Sequence, residues 1–146
     1  MEDDKFKIIY NKALDILSRR DYSIKELTTK LTEKFKCQKI VNLVLVKLGD
    51  NNLIDDRRYA QSYIVARKRK GFGPKKIAFE LFKKGVDESV VSATLSEEGG
   101  WKESAQTAFL KKYKGGIEKD YKLISKQKNF LLNRGFSFEE IDSIFN

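Results

Sequence analysis

Three groups of residues in this sequence could carry chemistry. The first is the carboxylate pair Asp55-Asp56, with Glu80 downstream, a set that could hold Mg²⁺ for phosphodiester hydrolysis. The second is the glycine-rich basic turn Gly71-Phe72-Gly73-Pro74-Lys75-Lys76. The third is a run of ten basic residues between positions 57 and 84, opposed by one acid, Glu80. That window carries a net +9, which is the net charge of the whole chain, so the remainder balances.

The first two groups weaken on inspection. Adjacent residues on a helix do not face each other, and no third ligand accompanies Asp55 and Asp56. An Asp at a helix start instead caps free amides and favours the macrodipole. The pair therefore reads as the start of a helix, and a Mg²⁺-dependent nuclease built on Asp55, Asp56 and Glu80 is the weaker reading. A phosphate-cradling P-loop needs four residues between its glycines and a Ser or Thr after its lysine, and the glycine turn has neither. The sequence has no histidine and one cysteine, Cys37. A Ser-His-Asp triad, a Cys-His pair, the usual zinc ligand sets and an intrachain disulfide are thereby excluded. No catalytic residue, metal or cofactor is expected, and Cys37 reads as a passive small residue.

The basic run survives. Its charge is localised and interleaved with Tyr59, Tyr63 and Phe72, the pattern of a surface for an anionic partner. The candidate contacts are Arg57, Arg58, Lys68, Arg69, Lys70, Lys75, Lys76, Lys83 and Lys84. Arg67 stands apart: by helical period it lies on an apolar seam, either snorkelling from the helix end or stacking on Tyr63.

The elements that position these residues emerge from an internal repeat. Shifted by 50 without gaps, Leu31, Leu81 and Leu131 coincide, as do Lys34, Lys84 and Arg134, and Val41, Val91 and Ile141. Each copy reads as three helices. The first helix carries seams at Tyr10, Ala13, Leu14 and Leu17, at Ala60, Tyr63, Ile64 and Arg67, and at Leu110, Tyr113, Lys114 and Ile117. Gly115-Gly116 ends the last of these early. The second helix starts at a Ser23–Glu26 capping box in copy one and at Gly73 with Pro74 in copy two. Asp120 is a possible cap in copy three. The third helix, read as short, starts at Asp87 in copy two and at a Ser137–Glu140 capping box in copy three. Cys37 is a poor cap in copy one.

Polar joints near Gly49-Asp50-Asn51-Asn52 and Glu97-Glu98-Gly99-Gly100 divide the chain into units 1–49, 53–97 and 101–146. The expected fold is all-α: three tandem three-helix repeats forming an elongated, curved array in which only neighbours touch. Asp55, Asp56, Tyr59, Ala60, Gly71, Gly73, Pro74, Leu81 and Gly85 are its structural motif in the middle unit. Trp101 reads as an anchor packing the third unit on its neighbour.

Hydrophobic residues make up 40% of the 146 positions, enough for a real core. The opening Met1-Glu2-Asp3-Asp4 is acidic, unlike a signal peptide. The longest apolar run, Ile40 to Leu48, is too short to span a bilayer. A soluble, cytoplasmic monomer with no membrane contact is expected.

The central stretch resembles the RecX family of bacterial recombination regulators. The residues that carry the likeness are Leu53-Ile54-Asp55-Asp56-Arg57-Arg58-Tyr59-Ala60, Gly71-Phe72-Gly73-Pro74-Lys75-Lys76-Ile77 and Glu80-Leu81-Phe82-Lys83-Lys84-Gly85-Val86. Leu14 to Arg20, Tyr22-Ser23, Glu26-Leu27, Lys30-Leu31, Phe130-Leu131 and Arg134-Gly135-Phe136 extend it over most of the chain. The resemblance implies tandem three-helix repeats and no catalytic motif. It implies binding to the RecA recombinase and to its filament on single-stranded DNA, with possible weak direct DNA contact. Restraint of filament growth, ATP hydrolysis, strand exchange and coprotease activity would follow, which ties the chain to DNA repair and the SOS response. The departure from the family pattern lies in the third unit, with Gly115-Gly116 inside it. The competing reading is a helical module that binds DNA directly.

Overall fold

The computed structural model describes residues 2–146; Met1, part of the acidic opening, lies outside them. Among the described residues there are nine α-helices and no strand. They are α1 (Glu2–Leu17), α2 (Ile24–Phe35), α3 (Gln38–Asp50), α4 (Asp56–Arg69), α5 (Pro74–Lys83), α6 (Glu88–Glu98), α7 (Trp101–Lys112), α8 (Tyr121–Asn133) and α9 (Phe138–Phe145). Helix packing falls into the triplets α1–α3, α4–α6 and α7–α9. Each triplet closes on its own apolar cluster, centred on Leu27, Leu31 and Val44, on Ile64, Ile77 and Leu81, and on Phe109, Leu131 and Phe136.

Local chemistry sets the helix starts. Ser23 and Ser137 form full capping boxes with Glu26 and Glu140. Asp55 and Asp87 cap α4 and α6 through their carboxylates. Gly73 precedes Pro74 at the start of α5. Cys37 and Asp120 sit at cap positions without a side-chain cap bond.

Three details differ from the sequence reading. The third helices of the first two units are not short: α3 spans 13 residues and α6 spans 11, each longer than the helix before it. Their apolar faces find partners all along the triplet, so packing extends them beyond the cap signals. In α1 the most buried positions are Ile9, Ala13 and Ile16; Tyr10, Leu14 and Leu17 flank that seam, half-buried. In the third unit the predicted seam fails. Leu110 and Ile117 are exposed, and α7 ends at Lys112, ahead of Gly115-Gly116. Its buried face is Ala105, Ala108 and Phe109, which match Ala60, Tyr63 and Ile64 at a spacing of 45. The five missing positions reappear as a longer connection before α8. Gln127, in the register of core Ile77, is buried there; its amide donates to the Gly116 carbonyl (3.1 Å) and accepts from the Glu118 amide (3.1 Å). A core site has been converted to a polar brace for that connection.

The units are joined twice in the same way. At each joint the N-terminus of one unit's second helix meets the turn that ends the next unit's second helix. Between the first and second units the Ser23 hydroxyl donates to the Lys84 carbonyl (2.6 Å) and the Ile24 amide donates to Asp56 (2.8 Å). Between the second and third units the Gly73 amide donates to the Arg134 carbonyl (2.7 Å) and the Lys75 amide to the Gly135 carbonyl (2.9 Å). Glycine is required at both turns: Gly85 and Gly135 have φ of +83° and +97°, and a Cβ on either would collide with Lys25 or Lys76. The chain exposes 9401 Å². A compact monomer of 16.9 kDa would expose about 7,700 Å². The excess is that of an extended row of small units.

Candidate functional site

The carboxylates that suggested metal chemistry are each committed to a structural partner. Asp55 accepts from the amides of Arg57 (2.8 Å) and Arg58 (3.2 Å), and Asp56 accepts from Ile24 of the first unit. Burial pushes the Asp56 carboxyl above its usual range against the Ile24 bond, which favours the charged form. Glu80 faces α4. It takes two bonds from the Arg67 guanidinium, at 2.9 and 2.8 Å, and one from the Tyr63 hydroxyl at 2.8 Å. Burial raises the Glu80 carboxyl, but these bonds outweigh it and hold the group below its usual range. Burial, together with the same contact, pushes Tyr63 up to about 12.

Arg67 therefore does not stack on Tyr63. Its guanidinium lies 4.0 Å from the centre of the Phe72 ring while gripping Glu80. The apolar seam of α4 tolerates a cation because α5 supplies both a carboxylate and a ring face to receive it.

The nine candidate basic residues divide into two sets. Arg57 pairs with Glu97, Lys68 with Glu98 (2.9 Å) and Lys84 with Glu26 (3.4 Å). Lys68 also donates to the Gly99 carbonyl (2.8 Å) and lies against Trp101, which itself packs on the second cluster and donates to the Leu95 carbonyl (3.0 Å). These side chains fasten α4 to the end of α6, or the second unit to the first. The remaining six, Arg58, Arg69, Lys70, Lys75, Lys76 and Lys83, make no ion pair among the described residues; Arg58 donates to the Asn52 carbonyl (3.2 Å).

Five of these six cations lie beside the two joints; Arg58 lines neither groove there. Arg69 and Lys70, at the end of α4, share a groove of about 670 Å³ with Glu103, Ser104, Thr107 and Lys111 of α7 and with the paired Lys68 and Glu98. Lys83 shares a groove of about 480 Å³ at the first joint with Lys25, Lys30 and Glu33, and with Arg20 and Lys84, which both pair with Glu26. Aromatic rings hold several of these cations in place: Arg20 lies 3.5 Å from the centre of Tyr22, and Lys76 and Arg134 lie 4.9 and 5.1 Å from that of Phe72. Tyr22 and Phe72 occupy the same repeat position. The basic field thus extends past the middle unit, through Arg20, Lys25, Lys30, Lys111 and Arg134. The density of the middle run hides these from a reading of charge along the chain, because the basic residues of the outer units are spread out and interleaved with acids. The 50-residue register, which aligns Lys25 with Lys75, was the signal that could have found the first of them.

No helix among the described residues is long and apolar enough to cross a membrane. Family models for the first, second and third three-helix domains of RecX match residues 10–48, 55–95 and 102–145. A regulatory protein RecX of Serratia proteamaculans is 32% identical, over 94% of this chain and 95% of its own length. One from Vibrio campbellii is 40% identical, over 88% and 84%. The crystal structure of RecX from Lactobacillus salivarius superposes with a TM-score of 0.83 at 28% identity, covering 98% of this chain and 96% of that one. With all three domain models in order along a nine-helix row, this chain belongs to the RecX family of regulatory proteins.

Proposed function

We propose that this chain binds the RecA recombinase on single-stranded DNA and restrains its filament, lowering ATP hydrolysis and strand exchange. The observation that carries the reading is the placement of unpaired cations at both joints of an extended array. Three units in a row offer several modest contacts in one chain, and linked contacts gain from effective concentration. The joint grooves present Arg and Lys to a polyanionic surface, either the carboxylates of recombinase subunits or the DNA phosphates they enclose. To restrain a filament the chain must favour one subunit arrangement over another, and an array fixed at two joints can do so by imposing its own spacing. Arg58, Arg69, Lys70, Lys75, Lys76 and Lys83 are the leading contacts; Arg57, Lys68 and Lys84 contribute by holding the units in place. In this reading the protein acts in the cytoplasm as a monomer and regulates without catalysing.

The test is co-sedimentation with RecA–single-stranded DNA filaments together with their ATPase rate. Binding with a lower rate at micromolar protein is expected. Absence of both overturns the proposal.

The grooves lined by Arg69, Lys70 and Lys111 also favour a second reading, direct DNA binding. Four to six phosphate contacts on a single strand would give a logarithmic salt slope of about −3 to −4. A flat salt dependence with free DNA, beside tight filament binding, would leave only the protein-directed reading.

A further inference from the structure

The outer face of α5 carries two large apolar side chains that the core does not use. Phe79 is 57% exposed and Phe82 is 43% exposed. Three residues apart, they lie on one side of the helix. The neighbouring units do not share the feature. At the same repeat positions the first unit has Thr29 and Thr32, and the third has Asn129 and Leu132. Lys83 lies 4.5 Å from the centre of the Phe79 ring, and Lys75 lies 5.6 Å from that of Phe138. Phe138 opens α9 across the second joint and is 65% exposed. Neither lysine makes an ion pair among the described residues, and the one acid of α5, Glu80, is turned toward α4 by Arg67. The result is an apolar ridge edged by two lysines that make no ion pair, with Glu139 beside Phe138 paired to Lys102.

We propose that this ridge, Phe79 and Phe82 with Phe138, Lys75 and Lys83, is the anchor on which the protein seats against its protein partner. The partner surface it fits is an apolar cleft rimmed by carboxylates. Aromatic side chains at the centre of an interface carry most of the binding energy, and flanking charges speed and orient the encounter. A protein cleft fits the ridge because its apolar centre is edged by lysines that match carboxylates, and stacking on nucleobases is the outcome the free-DNA measurement would reveal. The inference rests on the recombinase reading above and adds the surface that makes the contact.

The experiment measures binding of wild type, F79A/F82A and K75Q/K83Q to recombinase–single-stranded DNA filaments, with free single-stranded DNA and sedimentation velocity as companions. F79A/F82A should weaken filament binding at least tenfold, mainly through faster dissociation, with unchanged thermal unfolding and unchanged affinity for free DNA. K75Q/K83Q should slow association and flatten its salt dependence. Filament binding by F79A/F82A within twofold of wild type overturns the anchor while leaving the recombinase reading intact. Loss of free-DNA binding in F79A/F82A overturns it in favour of base stacking, and a wild-type dimer that F79A/F82A dissolves overturns it in favour of self-association. Failure of wild type to bind filaments overturns both readings together.

Discussion

The amide of Gly73 donates to the carbonyl of Arg134 at 2.7 Å, and fifty positions earlier the hydroxyl of Ser23 donates to the carbonyl of Lys84 at 2.6 Å. One joint is made twice with different donors. Ser23 cannot use its amide, because the Glu26 carboxylate of the capping box already accepts from it at 2.9 Å. In the second unit position 76 is lysine, the box is gone, and the Gly73 amide is free to cross the joint. The first joint thus depends on a side chain and the second on backbone.

This difference sets the outcome of two substitutions. Ser23→Ala removes the cross-joint bond and the cap on Glu26 together. It should cost about 1–2 kcal/mol in chemical denaturation. Gly73→Ala has an ordinary φ of −93°, but its Cβ would stand 2.5 Å from the backbone of Gly135. Neither backbone can yield without opening the joint, so a loss of about 1–3 kcal/mol and a larger radius of gyration in small-angle scattering are expected.

The two other turn glycines separate strain from crowding. Gly85 and Gly116 have nearly the same φ, +83° and +85°. A Cβ at Gly116 meets nothing within 4 Å, whereas one at Gly85 lies 2.5 Å from Lys25. Gly116→Ala should therefore cost only the conformational term, about 1–2 kcal/mol, and Gly85→Ala clearly more. Equal melting temperatures for the two variants would show that the joint relaxes freely.

Charge and core substitutions should part company. Arg69, Lys70, Lys75 and Lys76 changed to Glu should weaken filament binding while altering stability by less than about 0.5 kcal/mol. Leu81→Ala, in a side chain with no exposed surface, should cost about 2–5 kcal/mol. Lys68→Glu should behave like neither, because it breaks the contacts to Glu98 and Gly99 that hold α4 to the end of α6.

Acid sensitivity follows from Glu80. Its carboxyl is held below the ordinary value of 4.5 in the folded chain. The stabilisation it contributes is complete above pH 4.5 and is lost as pH falls through its lowered folded value. Glu80→Gln should flatten that acid limb in pH-dependent denaturation. Asp56 acts with the opposite sign: its carboxyl is raised above 3.8, so protonation on acidification favours the folded state. Asp56→Asn should therefore steepen the same limb.

Much of the architecture was legible in the chain. The 50-residue register located the second and third helices of each unit except the start of α8, because Leu81, Gly85 and Val91 and their counterparts answer to local rules of packing, turn and cap. Asp55 caps α4 and Trp101 anchors the third unit to its neighbour, as their places in the sequence predict. The third unit's first helix was misplaced because a five-residue shift in register is invisible when Leu110 and Ile117 supply a plausible false seam. The partner of Arg67 was misread because a helical period shows only one helix. Glu80 reaches Arg67 from α5, and Phe72 from the turn between them.

The sequence by itself determined three helical units, their order, and a dense basic run in the second. Those are properties of spacing and composition, and spacing along a helix fixes which residues share a face. Only the tertiary structure decided which cations are spent within the chain and which are left over. Glu26, Glu97 and Glu98 lie far along the chain from Lys84, Arg57 and Lys68, and nothing local distinguishes a paired lysine from an unpaired one. Likewise only the folded α5 shows that Phe79 and Phe82 miss the core that Ile77 and Leu81 fill, because burial depends on where neighbouring helices lie.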